Sequence, residues 1–152
     1  MRNANPANIE KLRGEFQPAA YVDTYGVWRI GYGTSSYAAA GGRRKVKPGD
    51  QCTQAEAEHY FSCDLYAAQR TVESSVHVAL TPGEYDALVM HTYRRGALAT
   101  KLKQYLNSGD TDGFFRGLRE EIRITDRKNK RRYISPALAL QREEEIAIFK
   151  AG

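Results

Sequence analysis

Two Thr-x-x-Glu tetrapeptides, "TQAE" at 53–56 and "TPGE" at 81–84, mark where two helices begin. In such a box the threonine hydroxyl accepts from the amide three residues on, and the glutamate reaches back to the threonine amide. Two otherwise unpaired donors are satisfied together. After the first box no glycine or proline interrupts before Ser74-Ser75, and Tyr60, Leu65, Ala68 and Val72 fall near one face. The pattern predicts a helix of about twenty residues, long enough to bridge two lobes at ~1.5 Å per residue. The rest of the chain has to pack around it.

Upstream, Asn5-Pro6 supplies a cap and a first-turn proline, and Ile9, Leu12 and Phe16 recur at helical spacing. A first helix is expected over about 6–15, broken by Gln17-Pro18. Residues 19–34 alternate aromatic, β-branched and glycine residues, which predicts two or three short antiparallel strands. The segment "SSYAAAGGRRKVKPGD" (35–50) reads as a loop with a basic cluster and a closing Pro-Gly turn. Further helices are expected over about 82–94, 97–107, 110–121 and 136–149, the last opening on Ser135-Pro136, so the second lobe is predicted to be all-helical. No repeat, low-complexity tract or interdomain linker is visible.

A chain of 152 residues suits one domain, or one domain with two small lobes. The formal charge of +5 favours polyanionic partners, whether nucleic acid, lipid headgroups or wall polymers, without choosing among them. No apolar run approaches the roughly 18 residues of a membrane span, and "MRNANPANIEK" lacks the apolar stretch of a signal peptide. A soluble cytoplasmic monomer is expected. Cys52 and Cys63, eleven residues apart, would stand about 16 Å from each other along a helix, too far for a disulfide. Neither the cysteines nor His59, His77 and His91 have metal-ligand spacing, so no metal or other cofactor is expected.

The ordered segments "AYVDTYGVWRIGYG", "KPGDQCTQAEAEHYFSCDL", "LTPGEYDALVMHTYRRG", "LKQYLNSGD" and "SPALALQREEEIAIF" resemble the phage-type lysozymes, the muramidase endolysins. The resemblance spans nearly the whole chain. It implies an α+β, mostly α fold with two lobes: an N-terminal lobe with a small β-hairpin over about 1–55, a bridging helix over about 53–73 and a helical bundle over about 75–152. It also implies peptidoglycan glycan strands as partner, cut between N-acetylmuramic acid and N-acetylglucosamine, in the cytoplasm of a phage-infected bacterium or, with help, its periplasm. In that chemistry a protonated carboxyl gives its proton to the leaving oxygen while a second carboxylate, with a hydroxyl, holds water on the opposite face.

The resemblance also implies where the chemistry is altered. The family's "AYxDxxGxxTIGYGH" meets "AYVDTYGVWRIGYGT", so Asp23 falls on the family's Asp, Arg29 on its catalytic Thr, and Thr34 on its usual His. Tyr32 lies in the glycine-rich strand beside them. The family's first helix ends in "EG", but here the window reads "RGEF", which puts Gly14 in the acid's column and Glu15 one place later. Arg29 only donates hydrogen bonds and is expected to pair with Asp23 or Glu15, holding that carboxyl ionised. In "HTYRRG", Arg94 takes the place of the family's cleft Asn, with Arg95 after it and His91 on the same segment. Trp28 is expected to pack in the core, and "RRKVK" (43–47) and "DRKNKRR" (126–132) to be solvated loops.

Three functions stay open on these residues. One is an impaired or inactive relative that keeps a binding cleft. The second is a working muramidase using Glu15 and Asp23. The third is a polyanion-binding or protein-interaction module on Arg29, Arg94, Arg95 and the basic loops, with nucleic acid the less favoured partner.

Overall fold

Both capping boxes form. In the structure, a computed structural model describing residues 2–126 and 129–152, Thr53 caps helix α2 (Gln54–Ser75): its hydroxyl accepts from the Glu56 amide at 3.1 Å, and Glu56 Oε1 accepts from the Thr53 amide at 2.9 Å. Thr81 and Glu84 repeat the arrangement at helix α3 (Pro82–Arg95). Among the described residues no helix is long and apolar enough to cross a membrane.

The first helix is shorter than its pattern predicts. Helix α1 (Pro6–Glu10) opens on Asn5, whose side chain accepts from Ala7 N at 2.9 Å. Beyond Glu10 the amides of Lys11, Leu12 and Arg13 bond to carbonyls three residues back, at 2.9–3.2 Å, so the chain tightens and leaves the helix. Arg13 then reaches Glu58 on α2 at 2.7 Å and covers the rings of Tyr32 and Phe61. Leu12 and Phe16 pack against the core all the same. Their spacing reports which residues are buried, not how far the helix runs.

Strands β1 (Gln17–Val22) and β2 (Trp28–Gly31) pair antiparallel, with Tyr21 opposite Arg29 and Val22 opposite Trp28. Two strands form in this region, after which the chain folds back through a bridge between Ile30 and Thr34. The turn joining them needs Gly26, at φ 80°. Gly31, at φ 66°, sits where an added Cβ would lie 2.9 Å from that of Ala57, so the hairpin lies directly on α2. Trp28 packs against the core from β2. The cysteines are both free thiols, Cys52 buried.

The second lobe is not all-helical. Helices α4 (Thr100–Asn107) and α5 (Thr111–Glu120) are followed by strands β3 (Arg123–Thr125) and β4 (Arg132–Ile134), which pair with Thr125 opposite Arg132, and then by α6 (Pro136–Lys150). Strands of three residues, Arg-Ile-Thr and Arg-Tyr-Ile, are too short to show alternation, and the basic run between them reads as a solvated loop. Arg127 and Lys128 of that basic run lie outside the described residues.

Helix α3 is buried along its length from Tyr85 to Thr92, which makes it the axis of the bundle. Its polar side chains therefore need internal partners. Asp86 accepts from Asn5 N and from Asn8 Nδ2, the latter at 2.8 Å, and so holds α1. His91 faces α6, where Glu145, with no exposed surface, receives Arg142 Nη1 at 2.7 Å on both oxygens and Arg94 Nη1 at 3.0 Å. His91 Nδ1 lies 2.9 Å from Glu145 Oε1. Arg142 Nη1 lies 3.0 Å from the same nitrogen, so the imidazole is wedged between the carboxylate and the guanidinium. Burial opposes ionisation of Glu145, but the His91 hydrogen bond and the Arg142 charge outweigh it and hold the carboxyl below its usual range.

Replacing Glu145 with Ala leaves the buried Arg142 guanidinium without its carboxylate, while Arg94 keeps Glu144, and is expected to cost about 3–5 kcal/mol of unfolding free energy, read by urea denaturation at pH 7. Because the folded carboxyl titrates below its unfolded value, its contribution is present above the unfolded pKa and is lost as pH falls through the folded one. The gap between wild type and Glu145→Ala should therefore narrow in acid.

Candidate active site

A cavity of about 680 Å³ separates the hairpin from the bundle. Gly14, Tyr21, Asp23, Arg29 and Tyr32 form one wall, while Tyr93, Arg94 and Arg95 of α3 face them. The mouth is completed by Arg123, Thr125 and Arg132 of the second hairpin, and by Gln141 and Arg142 of α6.

Asp23 is committed on both oxygens. Its Oδ1 accepts from the amides of Tyr25 and Val27 at 2.8 and 2.9 Å, closing the β-turn, and its Oδ2 accepts from Arg29 Nε at 2.8 Å. The Asp23 side chain is only 16% exposed. Burial would raise its pKa, but the Arg29 hydrogen bond and the two amides more than reverse this, so the carboxyl lies below its ordinary range. A carboxylate has about four lone-pair positions, and three are used here. Arg29 is fixed in turn, since Nη1 donates to the Gly33 carbonyl at 2.8 Å. Of its two expected partners, Arg29 takes Asp23.

Glu15 is exposed and does not line the cavity; Gly14 does. Because α1 stops at Glu10, no helical register carries Glu15 inward. A Cβ added at Gly14 would meet only the Tyr32 carbonyl, at 3.6 Å, an ordinary contact. Gly14 thus faces the cavity with room for a side chain.

Tyr32 lines the cavity, and its hydroxyl accepts from Gln54 Nε2 at 3.2 Å. Thr34 turns away: it is 3% exposed, and its hydroxyl donates to Asp64 Oδ2 at 2.9 Å. Asp64 carries no motif that sequence reasoning could have found. Burial, partly offset by Thr34 and the Arg29 charge, raises its pKa, and with Arg29 it lines a neighbouring cavity of about 300 Å³.

His91, expected at the cleft, is 1% exposed and bonded to Glu145, because α3 is covered on that face by α6. Its Nε2 has no partner among the described residues. Arg94 lines the cavity, but its guanidinium is taken by Glu144 and Glu145. Arg95 is 56% exposed and donates through Nε to Glu121 at 3.0 Å. Sequence reasoning missed Arg123 and Arg142, and placed Arg132 only within the basic run 126–132, legible as charge but not as a strand. Among the described residues no three His, Cys, Asp or Glu side chains gather as a metal site.

A family model described as phage lysozyme matches residues 11–145. The chain is 27% identical over 140 residues, 88% of its own length and 86% of the relative's, to an endolysin of Acyrthosiphon pisum secondary endosymbiont phage 1. Its fold is similar to that of the muramidase domain of SpmX from Asticaccaulis excentricus, with TM-score 0.74, 22% identity and 98% of both chains covered. It is similar too to an endolysin from Escherichia coli O157:H7 phage FAHEc1, with TM-score 0.75, 24% identity, and 97% and 93% of the two chains covered.

Arg29→Ala removes the largest of the contacts that depress the Asp23 pKa. Carbon-detected NMR titration of the Asp23 carboxyl should show its midpoint move upward, while the two amide hydrogen bonds keep the turn intact.

Proposed function

The chain belongs to the phage lysozyme family, and from that premise we propose that it binds peptidoglycan glycan in the interlobe cleft without cutting it. Family membership implies peptidoglycan as the substrate class, and the whole chain is taken as one two-lobed unit bridged by α2. The observation that carries the proposal is the Arg29 guanidinium bonded to Asp23 Oδ2 at 2.8 Å, in the column where the family has a hydroxyl.

Inverting hydrolysis needs two devices on opposite faces of the sugar. One is a protonated acid at the leaving oxygen, the other a base holding a water. Neither is supported here. Glu15 is exposed and does not line the cavity, so it is not placed to reach a leaving oxygen there. Asp23 retains one free lone-pair position, and the group beside it has five N–H donors and no acceptor, so a water there has nothing but Asp23 to take its proton. A depressed pKa also makes Asp23 a weaker base.

Binding asks less than catalysis. Tyr21, Tyr25, Tyr32 and Tyr93 offer ring faces and edges along the cavity, and the arginines offer donors to hydroxyl and acetamido oxygens. Both survive the loss of an acid–base pair.

Purified protein is expected to sediment with insoluble peptidoglycan yet fail to clear chloroform-permeabilised Gram-negative cells. Gly14→Glu with Arg29→Thr should then gain lytic activity by a factor of about 10² or more, the scale of a positioned acid. Clearing by the wild-type protein that disappears in Glu15→Gln would overturn the proposal. So would the absence of sedimentation.

A further inference from the structure

The groove between the lobes is divided. Asp23 and Tyr25 line the 680 Å³ chamber and also a separate cavity of about 390 Å³, whose walls include Val22, Asp126 and Tyr133. At that partition the hydroxyls of Tyr25 and Ser135 lie 3.0 Å apart, joining the β1–β2 turn to the cap of α6. Ser135 is 2% exposed and held as the cap by accepting from Leu138 N at 3.2 Å. At the other end Arg29, Gly33 and Tyr93 are shared with the 300 Å³ cavity, and the bond from Arg29 Nη1 to the Gly33 carbonyl fixes that wall.

A cleft that grips a polymer in mid-strand needs two open ends, one for each direction of the chain. This chamber is closed at one end by the Tyr25–Ser135 pair, which joins the two lobes, and at the other it adjoins the 300 Å³ cavity. Its volume is that of a small-molecule pocket. What fits is a short piece, or the terminus of a strand.

The charge at the mouth adds a second condition. Arg123 and Arg132 line the chamber from β3 and β4, and neither side chain has an ion pair or hydrogen bond among the described residues. The carboxylates of the lining, Asp23 and Glu121, are already bonded to Arg29 and Arg95. Two guanidinium forks therefore face the chamber with their donors unspent, and that geometry matches a carboxylate. A neutral sugar laid against them would desolvate charge without neutralising it.

We propose that the chamber takes a short, carboxylate-bearing saccharide, a glycan terminus or a released disaccharide–peptide, in preference to the interior of a glycan strand. This rests on the reading that the cleft binds peptidoglycan glycan, and deepens it by fixing length and charge. The carboxylates lie against Arg123 and Arg132, and the sugar rings lie between the tyrosines.

Calorimetry with a soluble N-acetylglucosamine–N-acetylmuramic acid–tripeptide should give binding at least tenfold tighter than with the neutral N-acetylglucosamine disaccharide. The double change Arg123→Gln and Arg132→Gln should erase that difference, lowering the fragment's affinity at least tenfold to the level of the neutral sugar. In sedimentation, the protein bound per disaccharide of insoluble peptidoglycan should rise severalfold after partial muramidase digestion creates new termini. Equal affinity for charged and neutral disaccharides, or a capacity unchanged by digestion, overturns this inference and leaves glycan binding standing. Failure to bind both the fragment and insoluble peptidoglycan overturns the reading beneath it as well.

Discussion

Glu145 is the ion around which the second lobe is assembled. A carboxylate taken fully out of water is tolerable only if every neighbour supplies a donor, and here His91, Arg94 and Arg142 do so from two helices. The requirement fixes α3 against α6 in rotation as well as in distance, which apolar packing alone would do less sharply. It also reaches outward: Arg142 Nε donates to the Glu121 carbonyl at 2.9 Å, just where α5 ends and the chain turns into β3. The arginine wall of the cleft is thus built on a buried carboxylate.

The opposite wall depends on a smaller device with the same logic. Asp23 closes its own turn through two amides, and its remaining oxygen holds Arg29. Arg29 in turn clamps the Gly33 carbonyl, so one carboxylate ties together the turn, β2 and the bend that follows it.

Much of the fold was legible because it follows from local rules. The two capping boxes located α2 and α3 to within two residues, and Ser135-Pro136 located α6. The failures are physical as well. The apolar spacing of Ile9, Leu12 and Phe16 is satisfied by a helix that stops at Glu10, because burial does not require hydrogen-bonded continuity. The second hairpin, with three residues in each strand, is too short to show a period. At the site, Asp23, Arg29, Tyr32, Arg94 and Arg95 come to one cavity, whereas His91 and Thr34 do not. Whether a polar side chain faces a cleft or a neighbouring helix is decided by tertiary partners, Glu145 for His91 and Asp64 for Thr34, which lie 54 and 30 residues away in sequence.

Trp28, the single tryptophan, lies on β2 next to Arg29 and opposite Val22, in the hairpin lobe. The helices that dominate far-ultraviolet circular dichroism lie mostly in the other lobe. Intrinsic fluorescence and ellipticity therefore watch different halves of one molecule. The joint between those halves, where Gly31 meets Ala57 and Tyr25 meets Ser135, decides whether the two signals melt as one.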